Sequence, residues 1–528
     1  MKFQGTTGRL FAVACATALL AGVAGVVAPA APAVAPAAPA VAPAAQSFEP
    51  TLSYYKCPPK SLPAGVQCAK LTVPLDWQAP NDGRTTTIDV RVMRSKAGKG
   101  GLTFNPGGPG GSGIESLPGV YSLLPDEVVS QFDFVAWDPR GVGGSGPKFT
   151  GCQYGNMVTP YPPATGPVDW QVYWQQAADQ VAAINTECLA ANPDSAPYLG
   201  TWQVIRDLDA LRAALGYSAW NFWGMSYGTR IGNAYARTFP NRLRALIMDG
   251  SLPADDTTYG LATSFPPNAW VTLQLFPALA APAAARKITV IEEYLNGTVV
   301  ALPDGTELTR WNWTEQFRSV LASQSQYPAA VAFVNNLYAG ITAATPAERA
   351  KGLEVVANIS KQLRASLSEQ MADMAAVFVF VNCSDLHDRV TPSQLAAAAE
   401  SVERNYGATR PYSIGDYPDS YTAACFGLAP EDLSPAIPTG SSTIALKTPP
   451  VFVLSTGDAA TPWIWGRSLA NTFARSRTIT YYSTQHVSYL FSPSTCVSTP
   501  VTEYLLTLKL PARNRLCAYV PSGPVAQR

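Results

Sequence analysis

The stretch Trp220-Asn-Phe-Trp-Gly-Met-Ser-Tyr-Gly228 decides the fold of this chain. Its aromatic start, Trp220 to Trp223, predicts a short buried strand, and the residues from Thr229 to Arg237 predict a helix that ends at Phe239-Pro240. Between them lies a Gly-x-Ser-x-Gly match centred on Ser226. A serine on such a sharp turn has its hydroxyl held clear of the sheet, and the flanking glycines remove side chains that would collide. The bare pattern is weak, but the strand before it and the helix after it indicate a nucleophile elbow.

The overall composition is typical of a large, loop-rich enzyme. The chain has 528 residues, a formal net charge of zero, 47% hydrophobic residues and 14% charged residues. This apolar content is ample for a large core, and the length allows two to four structural units. Basic clusters and long charge runs are missing from the sequence, which argues against a nucleic acid or an acidic membrane as partner.

The N-terminus predicts export. Lys2 and Arg9 precede an apolar run from Leu10 to Val27, so residues 1–27 are interpreted as a signal peptide. A membrane-spanning anchor is the less favoured alternative, because the run is Ala-rich and of marginal length. Residues 28–46 form an Ala/Pro-rich linker, either a tether at the cell envelope or an inert leader. Later runs are too short to span a bilayer, so we expect a secreted or envelope-associated protein without an integral membrane span in the mature chain.

The cysteines support this interpretation. Eight remain after the signal peptide, and none forms a Cys-x-x-Cys pair, which favours disulfides in an oxidising compartment over zinc ligands. Spacing does not fix the connectivity, although sequential pairing closes the shortest loops, and buried free thiols are the alternative. The eight are Cys57, Cys68, Cys152, Cys188, Cys383, Cys425, Cys496 and Cys517.

The order of the remaining patterns predicts an α/β fold. Leu71–Asp76 and Thr86–Met93 flank a turn and predict an opening hairpin, after which strands and helices alternate as in a mostly parallel sheet. This alternation stops at residue 250 and resumes at residue 449. We therefore predict a core made of residues 47–250 and 449–528, with residues 251–448 inserted as a helical lid domain.

A serine nucleophile needs a base, and the chain contains only two histidines. His486 follows a late strand, and Asp458 follows the strand before it, which gives the chain order serine, aspartate, histidine. We therefore predict Ser226 as nucleophile, His486 as base and Asp458 as the acid that orients the imidazole. His387, inside the insertion, does not fit this order and is interpreted as structural or as a lid contact. This chemistry needs no metal and no organic cofactor, and we expect none.

The oxyanion of acyl transfer requires N–H donors. The N–H of Tyr227, directly after the serine, is the first predicted donor. The second is the N–H of Gly107 or Gly108, in the run Asn105-Pro-Gly-Gly-Pro-Gly-Gly-Ser-Gly113 that follows a short apolar strand. The alternative is that this glycine-rich run is only a flexible loop.

The set of motifs resembles a known family, the secreted tripeptidyl-aminopeptidase-like serine hydrolases of actinobacteria, in the prolyl-aminopeptidase group of α/β hydrolases. The resemblance covers nearly all of the mature chain. One departure is Gln485, where the family usually has glycine before the histidine. The matching motifs are Asn105-Pro-Gly-Gly-Pro-Gly, Asp138-Pro-Arg-Gly, Gly-Met-Ser226-Tyr-Gly-Thr, Met248-Asp-Gly, Cys383-Ser-Asp385, Gly457-Asp458 with Thr461-Pro462, and the tail from His486 to Cys517.

The resemblance implies an α/β-hydrolase fold and release of short peptides, often tripeptides, from free N-termini, with some members acting on esters. An acidic group should then bind the substrate's α-ammonium. By resemblance Asp385 is the first candidate and Glu115 the second. The leading hypothesis is an exported serine exopeptidase acting on peptides. The alternatives are a carboxylesterase or lipase with the same triad, and an envelope-binding protein whose hydrolase fold no longer turns over.

Overall fold

The computed structural model describes most of the chain after the predicted linker. The described residues are 48–58, 63–152, 154, 162–255, 257–386, 388–406, 424–438 and 440–521, except for the side chains of 364–373. They all belong to one compact unit. The predicted signal peptide and linker, residues 1–46, lie outside the described residues, as does His387.

A ten-stranded sheet forms the centre of the described structure, with the strand order β1-β2-β3-β5-β4-β6-β7-β10-β11-β12. Three pairings are antiparallel: β1 with β2, β2 with β3, and β3 with β5. The six other pairings are parallel. The mostly parallel sheet and the opening hairpin are thus confirmed. The strands are β1 (Thr51–Tyr55), β2 (Gln67–Pro74), β3 (Thr85–Met93), β4 (Gly101–Asn105), β5 (Asp133–Trp137), β6 (Trp220–Met225), β7 (Leu243–Asp249), β10 (Val451–Ser455), β11 (Arg477–Tyr481) and β12 (Arg515–Cys517).

Strand β6 is covered on both faces. Trp220 and Phe222 pack into the core on one side of the sheet, and Trp223 and Met225 pack into the core on the other side. A strand covered on both faces needs no polar alternation, so its sequence is mostly apolar, with Asn221 as the one polar side chain, which donates to the carbonyl of Gly101. The covering helices are α1 (Gly113–Leu123), α2 (Asp126–Val129), α3 (Trp170–Ala191), α4 (Thr201–Ala214), α5 (Gly228–Thr238), α12 (Trp463–Asn471) and α13 (Thr495–Thr507).

The chain between β7 and β10 is helical, as predicted. Its apolar centre contains Trp313 stacked on Phe317, with ring centroids 4.8 Å apart, and the rings of Phe276 and Phe333 beside them. That this part acts as a separate lid domain stays a prediction. Its described elements are α6 (Thr258–Ala280), α7 (Ala284–Gly297), the short pair β8 (Val300–Ala301) and β9 (Glu307–Leu308), α8 (Arg310–Leu321), α9 (Tyr327–Thr342), α10 (Pro346–Asp385) and α11 (Pro392–Tyr406).

Arg140, just after β5, forms hydrogen bonds to the end of β2 and to α4. It is fully buried, and its Nη2 donates to Asp207 Oδ1 at 2.8 Å and to the carbonyl of Pro74 at 2.7 Å. A buried guanidinium is stable only when it is paired and hydrogen-bonded, and Asp207 on α4 provides that pair. Arg140 therefore has a structural role at the ends of β2 and β5.

The eight cysteines form four disulfides, and these are the sequential pairs. Within the described part of the chain, no helix combines the length and the apolarity that crossing a membrane requires. The disulfides are Cys57–Cys68, Cys152–Cys188, Cys383–Cys425 and Cys496–Cys517.

Candidate active site

Ser226 lies between the end of β6 and the start of α5, in a strained conformation. Its φ of 53° is in the left-handed region, which residues with a side chain rarely occupy. Its N–H donates to the carbonyl of Asp249 at 2.9 Å, and its own carbonyl accepts the N–H of Thr229 at 2.9 Å. These bonds hold the turn from both sides, and the serine side chain stays partly accessible.

The two glycines around Ser226 are required by close packing. A β-carbon at Gly224 would lie 2.4 Å from the carbonyl oxygen of Gly228, and one at Gly228 would lie 2.6 Å from the carbonyl oxygen of Asn105. Real side chains do not approach backbone atoms so closely. The Gly-x-Ser-x-Gly pattern is therefore a consequence of the distance between β6, α5 and the end of β4.

His486 and Asp458 form a hydrogen-bonded pair. Nδ1 of His486 lies 2.9 Å from Asp458 Oδ1 and 3.1 Å from Oδ2. Asp458 Oδ1 also accepts the N–H groups of Ala460 at 2.9 Å and Thr461 at 2.8 Å, and Oδ2 accepts the Thr461 hydroxyl at 3.0 Å. A carboxylate with these donors stays an acceptor and accepts a hydrogen bond from Nδ1–H, so the neutral imidazole has its lone pair on Nε2.

The surroundings of His486 favour its protonated form. Burial of the ring lowers its pKa, but the negative charge of Asp458, the hydrogen bond with Asp458 and the negative charge of Asp249 raise it by more. The pKa of His486 therefore lies above its ordinary value of 6.5. A base that becomes positively charged during catalysis is stabilised by the same two carboxylates.

Asp249, at the end of β7, is a part of the site that the sequence analysis missed. Its side chain is buried. Oδ1 accepts the N–H of Ser488, and Oδ2 accepts the N–H of Tyr489, both at 2.9 Å. Burial raises its pKa to about 7, although the two main-chain donors and His486 act in the opposite direction. The next residue, Gly250, leaves room for the imidazole, because a β-carbon there would lie 3.1 Å from His486 Cε1. Asp249-Gly250 thus supports both the turn at Ser226 and the loop of His486.

The structure brings Ser226 and His486 to the same end of the sheet, on either side of Asp249-Gly250. Among the hydrogen bonds of the described residues, none joins these two side chains. His486 lines a cleft of roughly 540 Å³ together with Pro106, which precedes the glycine-rich turn, and Met225, which precedes the serine. Hydrogen bonds between nucleophile and base are often long before substrate binds. The Asp458–His486 hydrogen bond is present and the Ser226–His486 hydrogen bond is open, so the three residues as a catalytic triad stay a prediction.

The predicted oxyanion loop needs one correction. The N–H of Gly107 donates to the side-chain oxygen of Asn105 at 3.0 Å, so it does not serve as the second donor to an oxyanion. Gly107 instead packs against Ser226, because a β-carbon there would lie 2.8 Å from Cβ of Ser226. The roles of the N–H groups of Gly108 and Tyr227 stay predictions. Gly110 approaches Met374 of α10, so this loop also contacts the insertion.

The prediction for Asp385 is corrected by its contacts. The side chain is fully buried at the end of α10, and its oxygens accept the N–H of Thr201 at 2.9 Å and the hydroxyl of Thr201 at 2.6 Å. Arg230 Nη1 lies 3.5 Å from the same carboxylate, and the Thr201 hydroxyl is 2.5 Å from that of Tyr227. A substrate ammonium has no access to Asp385, which instead connects α10 to the elbow. Glu115, by contrast, is exposed in the first turn of α1.

Gln485 connects the histidine loop to the insertion. Its side-chain oxygen accepts the N–H of Gln324 at 2.7 Å, and its side-chain nitrogen donates to the carbonyls of His486 at 2.8 Å and Val487 at 3.1 Å. The N–H of His486 donates to the carbonyl of Ala322, which follows α8, at 2.8 Å. The glutamine that replaces the family's usual glycine therefore supports the loop of His486.

Two family models match the chain. The first is described as alpha/beta hydrolase fold and matches residues 102–298, and the second is described as TAP-like protein and matches residues 411–517. The second match includes both Asp458 and His486. The first match includes the glycine-rich turn and Ser226.

Curated relatives extend the likeness over most of the chain. Serine protease Hip1 of Mycobacterium tuberculosis is 28% identical over 485 residues, which are 87% of this chain and 89% of that protein. Carboxylesterase B of the same organism is 27% identical over 487 residues, 86% of each chain. Tripeptidyl aminopeptidase of Streptomyces lividans is 34% identical over 200 residues, 36% of each chain. The long matches thus include proteins named for peptide and for ester hydrolysis.

Proposed function

Because this chain belongs to the α/β hydrolases and has a TAP-like C-terminal part, we propose that it is an exported serine exopeptidase that releases di- or tripeptides from the free N-termini of peptides. The chain is a serine hydrolase, and its relatives named serine protease and tripeptidyl aminopeptidase favour peptides as substrates. The observation that carries the proposal is the Asp458–His486 pair at 2.9 Å, next to a serine in a strained turn.

The proposed chemistry is acyl transfer in two steps. Ser226 Oγ attacks the scissile carbonyl while Nε2 of His486 takes the hydroxyl proton, and His486 then gives this proton to the departing amine. An acyl-enzyme and a shortened peptide with a new N-terminus result. Water attacks the acyl-enzyme with His486 again as base, and the N-terminal fragment leaves with a new carboxylate. Asp458 keeps the imidazole in the required tautomer and stabilises its positive charge.

The oxyanion is proposed to accept hydrogen bonds from the N–H groups of Tyr227 and Gly108. Each such donor contributes about 3 kcal/mol to stabilisation of the transition state. Gly107 contributes differently, because its lack of a side chain lets the loop approach Ser226. The open Ser226–His486 hydrogen bond is proposed to close when substrate occupies the cleft.

Two carboxylates were predicted to bind the α-ammonium, and the proposed function assigns this role to neither. Asp385 is buried and hydrogen-bonded inside the protein. Glu115 belongs to α1, the helix that borders the cleft beside His486, where the departing part of the substrate is proposed to lie. We therefore propose neither as ligand of the α-ammonium.

Export is proposed from the N-terminal sequence and is supported by the four disulfides, because such bonds persist in oxidising compartments. We further propose that residues 251–448 act as the lid over the site. The contacts of Ala322 and Met374 with the histidine loop and the glycine-rich turn support this role.

Mass spectrometry of the products of one peptide, offered with a free and with an acetylated N-terminus, tests the proposal. We expect di- or tripeptides from the free form, little cleavage of the acetylated form, and no products from Ser226→Ala. Equal cleavage of both forms, or hydrolysis of esters only, would favour the carboxylesterase alternative, which the relative named carboxylesterase B supports. An inactive wild-type protein would favour a hydrolase fold that no longer turns over.

A further inference from the structure

We propose that the cleft between α1 and the loop after β11 binds an apolar side chain on the leaving side of the scissile bond. The first residue of the departing peptide would thus be selected for an apolar character. This inference rests on the proposed function and adds a substrate preference to it.

The position of the cleft relative to the two reactive groups decides which part of the substrate it receives. During acyl transfer the departing nitrogen must lie next to the histidine, since His486 gives it a proton. The carbonyl oxygen points the other way, towards the N–H groups of the oxyanion site. The cleft is lined by His486 and Val487 on one wall and by Met225, directly before the nucleophile, on another. It therefore opens at the side of the serine from which the leaving group departs.

The lining of the cleft favours an apolar occupant. Val120 on α1 and Val487 are buried in its wall, while Leu123 and Phe491 at its edge are 37% and 41% exposed. Large apolar side chains that stay exposed together around a concave site are typical of ligand contacts. Apart from His486, the residues that line this cleft in the described part of the chain include no ionisable side chain. The other polar side chains of the lining are those of Ser116 and Ser122, whose hydroxyls donate to the carbonyls of Ser112 and Gly119 within α1. A charged side chain would lose hydration there and find no charged partner besides His486.

The size of the cleft suits one large residue or a short segment. Its volume of roughly 540 Å³ lies inside the range of about 300–1,000 Å³ that is common for small-molecule sites. Gly119 of α1 lines the cleft, and a β-carbon there would have no atom within 4 Å. A larger side chain at this position can therefore be accommodated at the cleft without colliding with the protein.

Gly119→Leu therefore tests the assignment, because it fills the cleft and replaces glycine by a better helix former. Gly297→Leu is the matched control, since Gly297 ends α7 in the insertion and also has no atom near the added β-carbon. Both variants and the wild type are given two peptide series. In one, the residue after the scissile bond is Gly, Ala, Leu or Phe behind a constant acyl part. In the other, the residue before the bond varies and glycine follows it.

In the wild type we expect kcat/KM to rise from Gly to Leu and Phe in the first series, because each apolar group buried in the cleft gains binding energy. In Gly119→Leu the ratio of kcat/KM for Phe to that for Gly should fall at least tenfold, and Gly119→Ala should give a smaller fall. Gly297→Leu should keep the ratio of the wild type. The assignment would be overturned if Gly119→Leu changed the preference in the second series instead. It would also be overturned if kcat/KM of this variant fell equally for all substrates of the first series.

A third series separates this inference from the proposed function. Alkyl esters of one acid, with alcohols from methyl to hexyl, place an apolar leaving group at the same side of the serine. If peptides resist and esters are hydrolysed, the peptidase proposal fails, but a preference for longer alcohols that Gly119→Leu removes would still support the cleft assignment. Ester hydrolysis that ignores alcohol length in every variant would overturn the cleft assignment alone. If wild type cleaves neither peptides nor esters, both proposals fall.

Discussion

Asp249 connects Ser226 to the loop of His486, because its carbonyl accepts the N–H of Ser226 at 2.9 Å and its carboxylate accepts the N–H groups of Ser488 and Tyr489, two and three residues after His486. One residue thus sets the distance between two loops that are 260 positions apart in the sequence. The carboxylate also faces the imidazole, together with Asp458, and raises its pKa.

Asp249→Asn should move the acid limb of the kcat/KM profile to lower pH. A negative charge near His486 raises its pKa, so the neutral amide lets the imidazole lose its proton at lower pH. We also expect kcat to fall by tenfold or more, because an amide has one acceptor oxygen for two loop N–H groups. The pH dependence of kcat/KM checks this, and an unmoved acid limb would contradict it.

The exposed acid Asp82, in the turn between β2 and β3, supplies the control, since Asp82→Asn should leave the acid limb in place.

Stability offers an independent measurement. Because the pKa of Asp249 is raised from its ordinary value of 3.8 to about 7, its contribution to stability is fully present below pH 3.8 and is lost as the pH rises to about 7. Asp249→Asn should therefore gain stability relative to wild type over this pH range in urea unfolding and show no further relative gain above it.

Asp458→Asn should lower kcat by about 10⁴-fold, because the amide no longer holds Nδ1 in its protonated tautomer. In the wild type, the neutral imidazole is the active form, so kcat/KM should rise with pH through a pKa above 6.5. The acid limb of the kcat/KM profile should lie at lower pH in Asp458→Asn than in the wild type. A loss of less than tenfold would mean that Asp458 is not the acid of the triad.

Asp385→Asn should destabilise the protein and leave substrate affinity unchanged. It removes the charge that faces buried Arg230 and weakens the bonds to Thr201, and breaking one partner of a buried pair costs about 3 kcal/mol. Urea unfolding and KM for a peptide with a free N-terminus measure the two effects. A KM raised more than tenfold at unchanged stability would instead restore Asp385 as the ligand of the α-ammonium.

Gln485→Gly, the change to the family's usual residue, should lower both stability and kcat. The buried N–H of Gln324 would lose its acceptor, which costs about 1–3 kcal/mol, and the carbonyls of His486 and Val487 would lose their donor. Gln485→Ala separates the loss of hydrogen bonds from the added backbone freedom of glycine. Equal thermal stability and kcat in wild type and both variants would contradict the proposed support of the histidine.

The parts of the site that could be predicted from sequence are those set by neighbouring residues. Two glycines and an aromatic strand indicate the turn at Ser226, and the chain order of Asp458 and His486 follows from the order of the strands. The partners of Asp385 and Gln485 lie far away in sequence, at Thr201, Arg230 and Gln324, so no local pattern could indicate them.

Other features were missed for different physical reasons. Asp249 looks like the polar end of an ordinary strand until the loop after β11 folds back onto it. Gly107 was one of two predicted donors, with Gly108, but its N–H donates to the side-chain oxygen of Asn105. The short edge strands β1 and β12 were not predicted, because their pairing partners rather than their own composition make them strands.

Reaction with a fluorophosphonate, followed by peptide mapping in a mass spectrometer, tests the central claim most directly. If Ser226 is the nucleophile and His486 its base, the wild type should carry one phosphonyl group on Ser226. Ser226→Ala should carry none, and His486→Ala should react far more slowly. An adduct on another residue, or equal labelling of wild type and Ser226→Ala, would contradict the account.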